Sequence, residues 1–144
     1  MNGMSSTAQH RLALGLTIIR VVVGILFIVH GAQKLFVFGI PGITAGFGQY
    51  GVPLPGISAP VVTFVEFLGG IALLLGLFTR VAAILLAIDM LGAIIFVHGK
   101  NGFFLPTGYE FALTLLAVNV AIALAGPGGY AVDDQLWSRR AARI

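Results

Sequence analysis

The sequence predicts an all-α membrane protein, a transmembrane four-helix bundle of antiparallel up-and-down topology, and three observations predict it. Hydrophobic residues make up 58% of the chain and charged ones only 9%. With a mean hydropathy of +1.04, that balance suits lipid rather than water. The apolar residues gather into four runs, 12–36, 60–78, 81–97 and 108–125, each near the length that crosses about 30 Å of hydrocarbon. No alternating ten-residue pattern supports a barrel, and helices are the open-chain solution that satisfies every backbone N–H and C=O inside lipid.

Arg11 precedes the first run as it would a secretory signal. The run is long, contains Arg20 and passes into Ile40, Pro41 and Gly42 without a small-x-small cleavage site, so it reads as a retained span. A long Gly- and Pro-rich first loop follows over 37–59, holding Phe47, Tyr50 and Val52, and is expected to cover one end of the bundle. The second and third spans are separated only by Thr79-Arg80, which forces a tight antiparallel hairpin. After the fourth span comes a basic tail, 126–144, carrying Arg139, Arg140 and Arg143. The 144 residues are thereby used in a single membrane domain.

Four spans put both termini on one side with Arg11, Arg80, Arg139, Arg140 and Arg143, leaving Lys34 and Lys100 on the other. The positive-inside rule then sets both termini in the cytoplasm and the long first loop outside. A net charge of +3 reflects that tail, and without a basic stripe interleaved with aromatics it argues for no nucleic acid partner. The chain has no cysteine, which excludes thiol nucleophiles, disulfide exchange and cysteine-held clusters, so a redox role must borrow its cofactor. No nucleophile beside a base, phosphate loop or dinucleotide fingerprint is visible. Gly24 and Gly31, Gly69, Gly70 and Gly76, and Gly92 and Gly99 recur at spacings that give helices small faces for close packing.

Charged residues inside spans are costly and usually face the bundle interior. At about 1.5 Å per residue, Arg20 in the first span, Asp89 in the third and Asn119 in the fourth fall near the midplane. Arg20 and Asp89 are expected to form a structural ion pair that fixes helix order, with a proton-relay role as the alternative. Toward the outer side the polar density rises, with His30, Gln33 and Lys34 closing the first span, Glu66 in the second, His98 closing the third and Tyr109-Glu110 opening the fourth. His30, Lys34, Glu66, His98, Tyr109 and Glu110 are read as one ligand-binding site. Duller roles compete: Lys34 can snorkel to headgroups and Glu110 can cap its own helix. Glu66 resists dismissal best, because an ionised carboxylate in an apolar helix needs a partner such as His30 or Lys34. These ligand types suit zinc or iron, yet none has the three- or four-residue spacing of helical metal motifs, so no metal is assigned.

Taken together, Gly24 through Phe36, Glu66 with Gly69-Gly70, Leu74 to Leu77 with Thr79-Arg80, His98, Gly102-Phe103, Tyr109-Glu110, and Gly126 to Tyr130 with Asp133 resemble the DoxX family of small bacterial membrane proteins. The resemblance implies a four-helix fold in the bacterial cytoplasmic (inner) membrane and an association with redox systems, since relatives include the small subunit of thiosulfate:quinone oxidoreductase. Asp89 departs from the family pattern, and Ala131 stands where the family often has Ser. The resulting expectation is an integral membrane subunit of a redox system that binds a quinone-like headgroup in the outer polar site, with electron transfer left to a partner carrying the redox cofactor. Phe27, Phe64, Phe67, Phe96 and Phe103 would wall the apolar tail. Two other classes compete: a non-catalytic structural subunit of a larger membrane complex, and a small ion-coupled carrier, which the absence of broken segments and of an inverted repeat disfavours.

Overall fold

A computed structural model describes residues 5–135, which form helices and connecting turns. The basic residues Arg139, Arg140 and Arg143 lie outside the described residues. Helix α1, Ser6–Ala32, starts at Ser5, whose hydroxyl accepts from Ala8 N at 3.3 Å. It widens into a π-helical segment, Gln33–Phe38, and Gly39 then turns the chain at φ +69° into α2, Gly39–Tyr50. The expected first loop is therefore largely helical. Pro41 falls in the first turn of α2, where its missing N–H leaves no gap in the ladder, and in lipid a helix is the local way to pair the remaining amides.

Helix α3, Pro55–Leu75, has proline in its first turn. Gly76, at φ +68°, ends it, and the N–H groups of Gly76 and Leu77 close on Leu73 O and Ala72 O at 3.1 and 2.9 Å. Helix α4, Thr79–Gly92, runs back and also widens, into a π segment at Ala93–His98 followed by a short 3-10 turn, Gly99–Asn101. Helix α5, Glu110–Ala125, completes the bundle. The α1, α3 and α4 segments are each long and apolar enough to cross a membrane, and α5 is a shorter apolar helix of 16 residues.

Helix α1 lies backbone-to-backbone on α3. A Cβ placed on Gly31 would sit 2.5 Å from Phe67 N, and one on Gly70 would sit 2.6 Å from Ile28 N. α3 packs on α4 and α4 on α5, while α1 and α5 meet sparsely. Val23, Phe27, Leu73, Leu86, Leu115 and Ile122 fill the centre. The outward surface is apolar, including Ile18, Val22, Leu68, Ile88 and Leu124.

At the end where α3 turns into α4, the segment after α5 folds back as a strap. Asp133 receives the N–H groups of Phe78 and Thr79 at 2.8 and 2.9 Å and so caps α4, while its own N–H donates to Gly76 O at 2.9 Å. Arg80 donates to Ala123 O and Leu124 O at 2.7 and 2.9 Å, closing the last turn of α5. Thr17 donates to Gly129 O at 2.7 Å. Arg20, only 1% exposed, reaches across to donate to Pro127 O at 2.9 Å, Leu74 O at 3.0 Å and Leu73 O.

This placement corrects the expected Arg20–Asp89 pair. Arg20 lies level with the last turn of α3, whereas Asp89 stands about 15 Å beyond the start of α4. The first turns of α1 run beside residues 127–129, so counting depth from the start of the apolar run placed Arg20 too far in.

Candidate functional site

The polar residues at the opposite end converge because three helices present them at one level. On α1, Gly31 brings the backbone against Phe67, and one turn further along Lys34 reaches α3. Lys34 Nζ and Glu66 Oε1 are 2.7 Å apart, the one ion pair among the described residues. Glu66 is 4% exposed while the Lys34 side chain is half-buried, so the pair is shielded chiefly on its carboxylate side. Asp89 comes from α4, and its carboxyl approaches that of Glu66 to hydrogen-bonding reach. Glu66 Oε2 and Asp89 Oδ2 are buried, and apart from this carboxyl-to-carboxyl approach neither has a hydrogen-bond partner among the described residues.

These groups border a cavity of about 530 Å³. Its walls are chiefly apolar, with Phe27, Phe47, Val62, Met90, Phe96 and Leu115, and its polar members are His30, Lys34, Ser58, Glu66, Asp89 and His98. His30 sits on the lining with its ring tilted against Phe111, centroids 6.1 Å apart. His98 Nδ1 lies 3.1 Å from Thr107 O, and since a carbonyl can only accept, Nδ1 carries the hydrogen and Nε2 is an acceptor in the neutral ring. The Ser58 hydroxyl donates to Leu54 O at 3.1 Å. Phe47, Val52 and Pro53, from α2 and the turn after it, close one side.

Four of the six residues expected in the site, His30, Lys34, Glu66 and His98, line this cavity. The other two stand apart from it. Glu110 Oε1 accepts from Leu105 N at 2.7 Å, and the Tyr109 ring packs edge-on against Phe103 at 5.4 Å, so both organise the turn that leads into α5. Of the aromatic walls, Phe27 and Phe96 are in place, whereas Phe64, Phe67 and Phe103 lie elsewhere. Sequence reasoning assigned Asp89 to the midplane pair and left Phe47, Ser58 and Phe111 unassigned. The π segments that begin at Gln33 and Ala93 flank the cavity, a feature frequent at functional sites and without a signature in residue spacing. Among the described residues no set of three or more His, Asp or Glu side chains is arranged to hold a metal ion.

Fold and site together define a small polytopic membrane protein with an ion-paired cavity between its helices. The chain belongs to the DoxX family, whose profile matches residues 15–99. A Haemophilus influenzae protein is 36% identical over 128 residues, covering 86% of this chain and 92% of its own. The Bacillus subtilis protein named "Putative oxidoreductase CatD" is 37% identical over 120 residues, covering 83% of this chain and 85% of its own. The Escherichia coli inner membrane protein YqjF is 32% identical over 130 residues, covering 85% and 92%. No solved structure gives a significant match.

Proposed function

We propose that this chain is a membrane subunit of a redox system and that the cavity between α1, α3 and α4 takes a quinone-like headgroup. The observation that carries the reading is the Lys34–Glu66 pair, joined by Asp89, set into the apolar walls of a 530 Å³ cavity. Cavities of about 300 to 1,000 Å³ with few polar groups on apolar walls are the usual form of a small-molecule site. A ring with oxygen substituents meets the polar cluster, while Phe27, Phe47 and Phe96 suit a ring face and the start of an apolar tail. The name of the Bacillus subtilis relative adds support for redox chemistry. Electrons would come from, or pass to, a partner protein that carries the redox cofactor. In this reading the protein sits in the bacterial inner membrane with both termini cytoplasmic and the cavity in the outer leaflet, as the distribution of Arg and Lys favours.

The test is binding of a short-tailed benzoquinone to the detergent-purified full chain, followed by titration calorimetry or by a rise in thermal stability. Glu66→Gln keeps the size and removes the charge that holds Lys34, and should weaken binding on the order of tenfold or more while the helical content is unchanged. Unaltered binding by that variant, or no binding by the wild type, favours the accessory structural subunit instead.

A further inference from the structure

Glu66 and Asp89 come from neighbouring helices and meet on the lining of the cavity, with their carboxyls within hydrogen-bonding reach of each other. Lys34 Nζ stands 2.7 Å from Glu66 Oε1, and no N–H or hydroxyl group among the described residues reaches Glu66 Oε2 or Asp89 Oδ2. Carboxylate oxygens only accept, so two carboxyls can hydrogen-bond only if one of them carries a hydrogen. Two like charges in one buried site are costly, and a single proton between them leaves one negative charge to match the positive charge of Lys34. The other titratable groups on the lining are His30 from α1 and His98 from the π segment after α4, while α2 and α5 bring apolar side chains.

We propose that Glu66 and Asp89 hold one proton in common and exchange it with an oxygen of the ligand, which makes the cavity a proton-transfer site as well as a binding site. This rests on the quinone-type reading and adds the path of the proton. When the bound ring takes two electrons from the partner's redox cofactor, an O–H bond forms at one ring oxygen as the O–H bond within the carboxyl pair breaks. The products are a quinol monoanion and two carboxylates beside Lys34, whose charge offsets part of what the transfer leaves behind. Oxidation runs the same step backwards. A group that gives or takes a proton must stand within hydrogen-bond reach of the reacting oxygen, and both carboxyls border the space that the ring would fill.

The experiment is infrared spectroscopy of the full chain in an ester-free detergent at neutral pH. The sequence has only five Asp and Glu residues, so the C=O band of a protonated carboxyl can be assigned by substitution. The wild type should show that band, moving to lower frequency in heavy water. Asp89→Asn should lose it, because Glu66 then faces Lys34 alone and ionises, with circular dichroism and thermal unfolding showing that the variant is folded. Glu110→Gln, which lies apart from the cavity, should keep it. Addition of decylubiquinone should shift the band of the wild type as the ring oxygen meets the pair. A wild type without the band, or an Asp89→Asn variant that retains it, overturns the inference whatever the cavity binds. A band that bound decylubiquinone leaves unmoved overturns it too, since the proton is then sealed from the ligand. Failure of decylubiquinone to bind, with the band present and lost in Asp89→Asn, removes the quinone-type reading and the transfer to it while the proton-holding pair stands.

Discussion

At the hairpin end Arg20 is buried and its guanidinium is met by three backbone carbonyls, while Asp133 is met by two backbone N–H groups. At the cavity end Glu66 is almost as buried, yet its partners are side chains, Lys34 on one oxygen and the nearby carboxyl of Asp89. Both ends bury charge in a chain that has little of it, but at the first the charges are met by backbone groups and at the second they meet one another beside a cavity. A buried charge enclosed by backbone acts on stability; one that lines a cavity can also act on whatever enters. Substitutions at the two ends should therefore separate stability from binding.

The largest effect is expected for Arg20→Met, which leaves the carbonyls of Leu73, Leu74 and Pro127 without their donor and should cost about 4 kcal/mol, read from reversible unfolding in mixed micelles. Arg20→Lys should recover only a fraction, because an ammonium lacks the fork that reaches two elements at once. Next comes Gly31→Ala, which belongs to both ends of the comparison. Its methyl would push α1 away from Phe67, costing about 2 kcal/mol, and would also draw Lys34 from Glu66, so quinone affinity should fall with stability. Asp133→Ala should cost about 1.5 kcal/mol by uncapping α4 and leave ligand affinity unchanged. A fall in affinity there would break the proposed independence of the two ends. The smallest effect is a coupling: Arg20→Met and Asp89→Asn should add to within about 0.5 kcal/mol in the double variant. A larger interaction energy would revive direct contact between them.

Much of the architecture is legible in the sequence because lipid leaves so few options: apolar runs give the helices, and Thr79-Arg80 gives the hairpin. Lys34, Glu66, His30 and His98 were findable for the same reason, as polar residues that an apolar span would otherwise avoid. The supposed partner of Asp89, Arg20, was placed at the wrong level because its depth was counted from the start of the apolar run, whereas the first turns of α1 run beside residues 127–129. The cap provided by Asp133 and the carbonyl partners of Arg20 depend on how the strap folds back, and no spacing within a span encodes that. Tyr109 and Glu110 sit at the right depth but turn into their own loop, an orientation set by the local bonds to Leu105 and Phe103. Helix α2 was hidden by its glycines, which read as loop residues in water but in lipid retain the obligation to pair their amides.

The sparse contact between α1 and α5 sets a route as well as a shape. Glycines fasten α1 to α3, and α4 adheres to α5, so the bundle has one thin seam, and near the cavity it is bridged by His30 resting against Phe111. Both residues are exposed and both line the cavity. For the ligand proposed above, this seam would be the sideways route between the bilayer and the cavity.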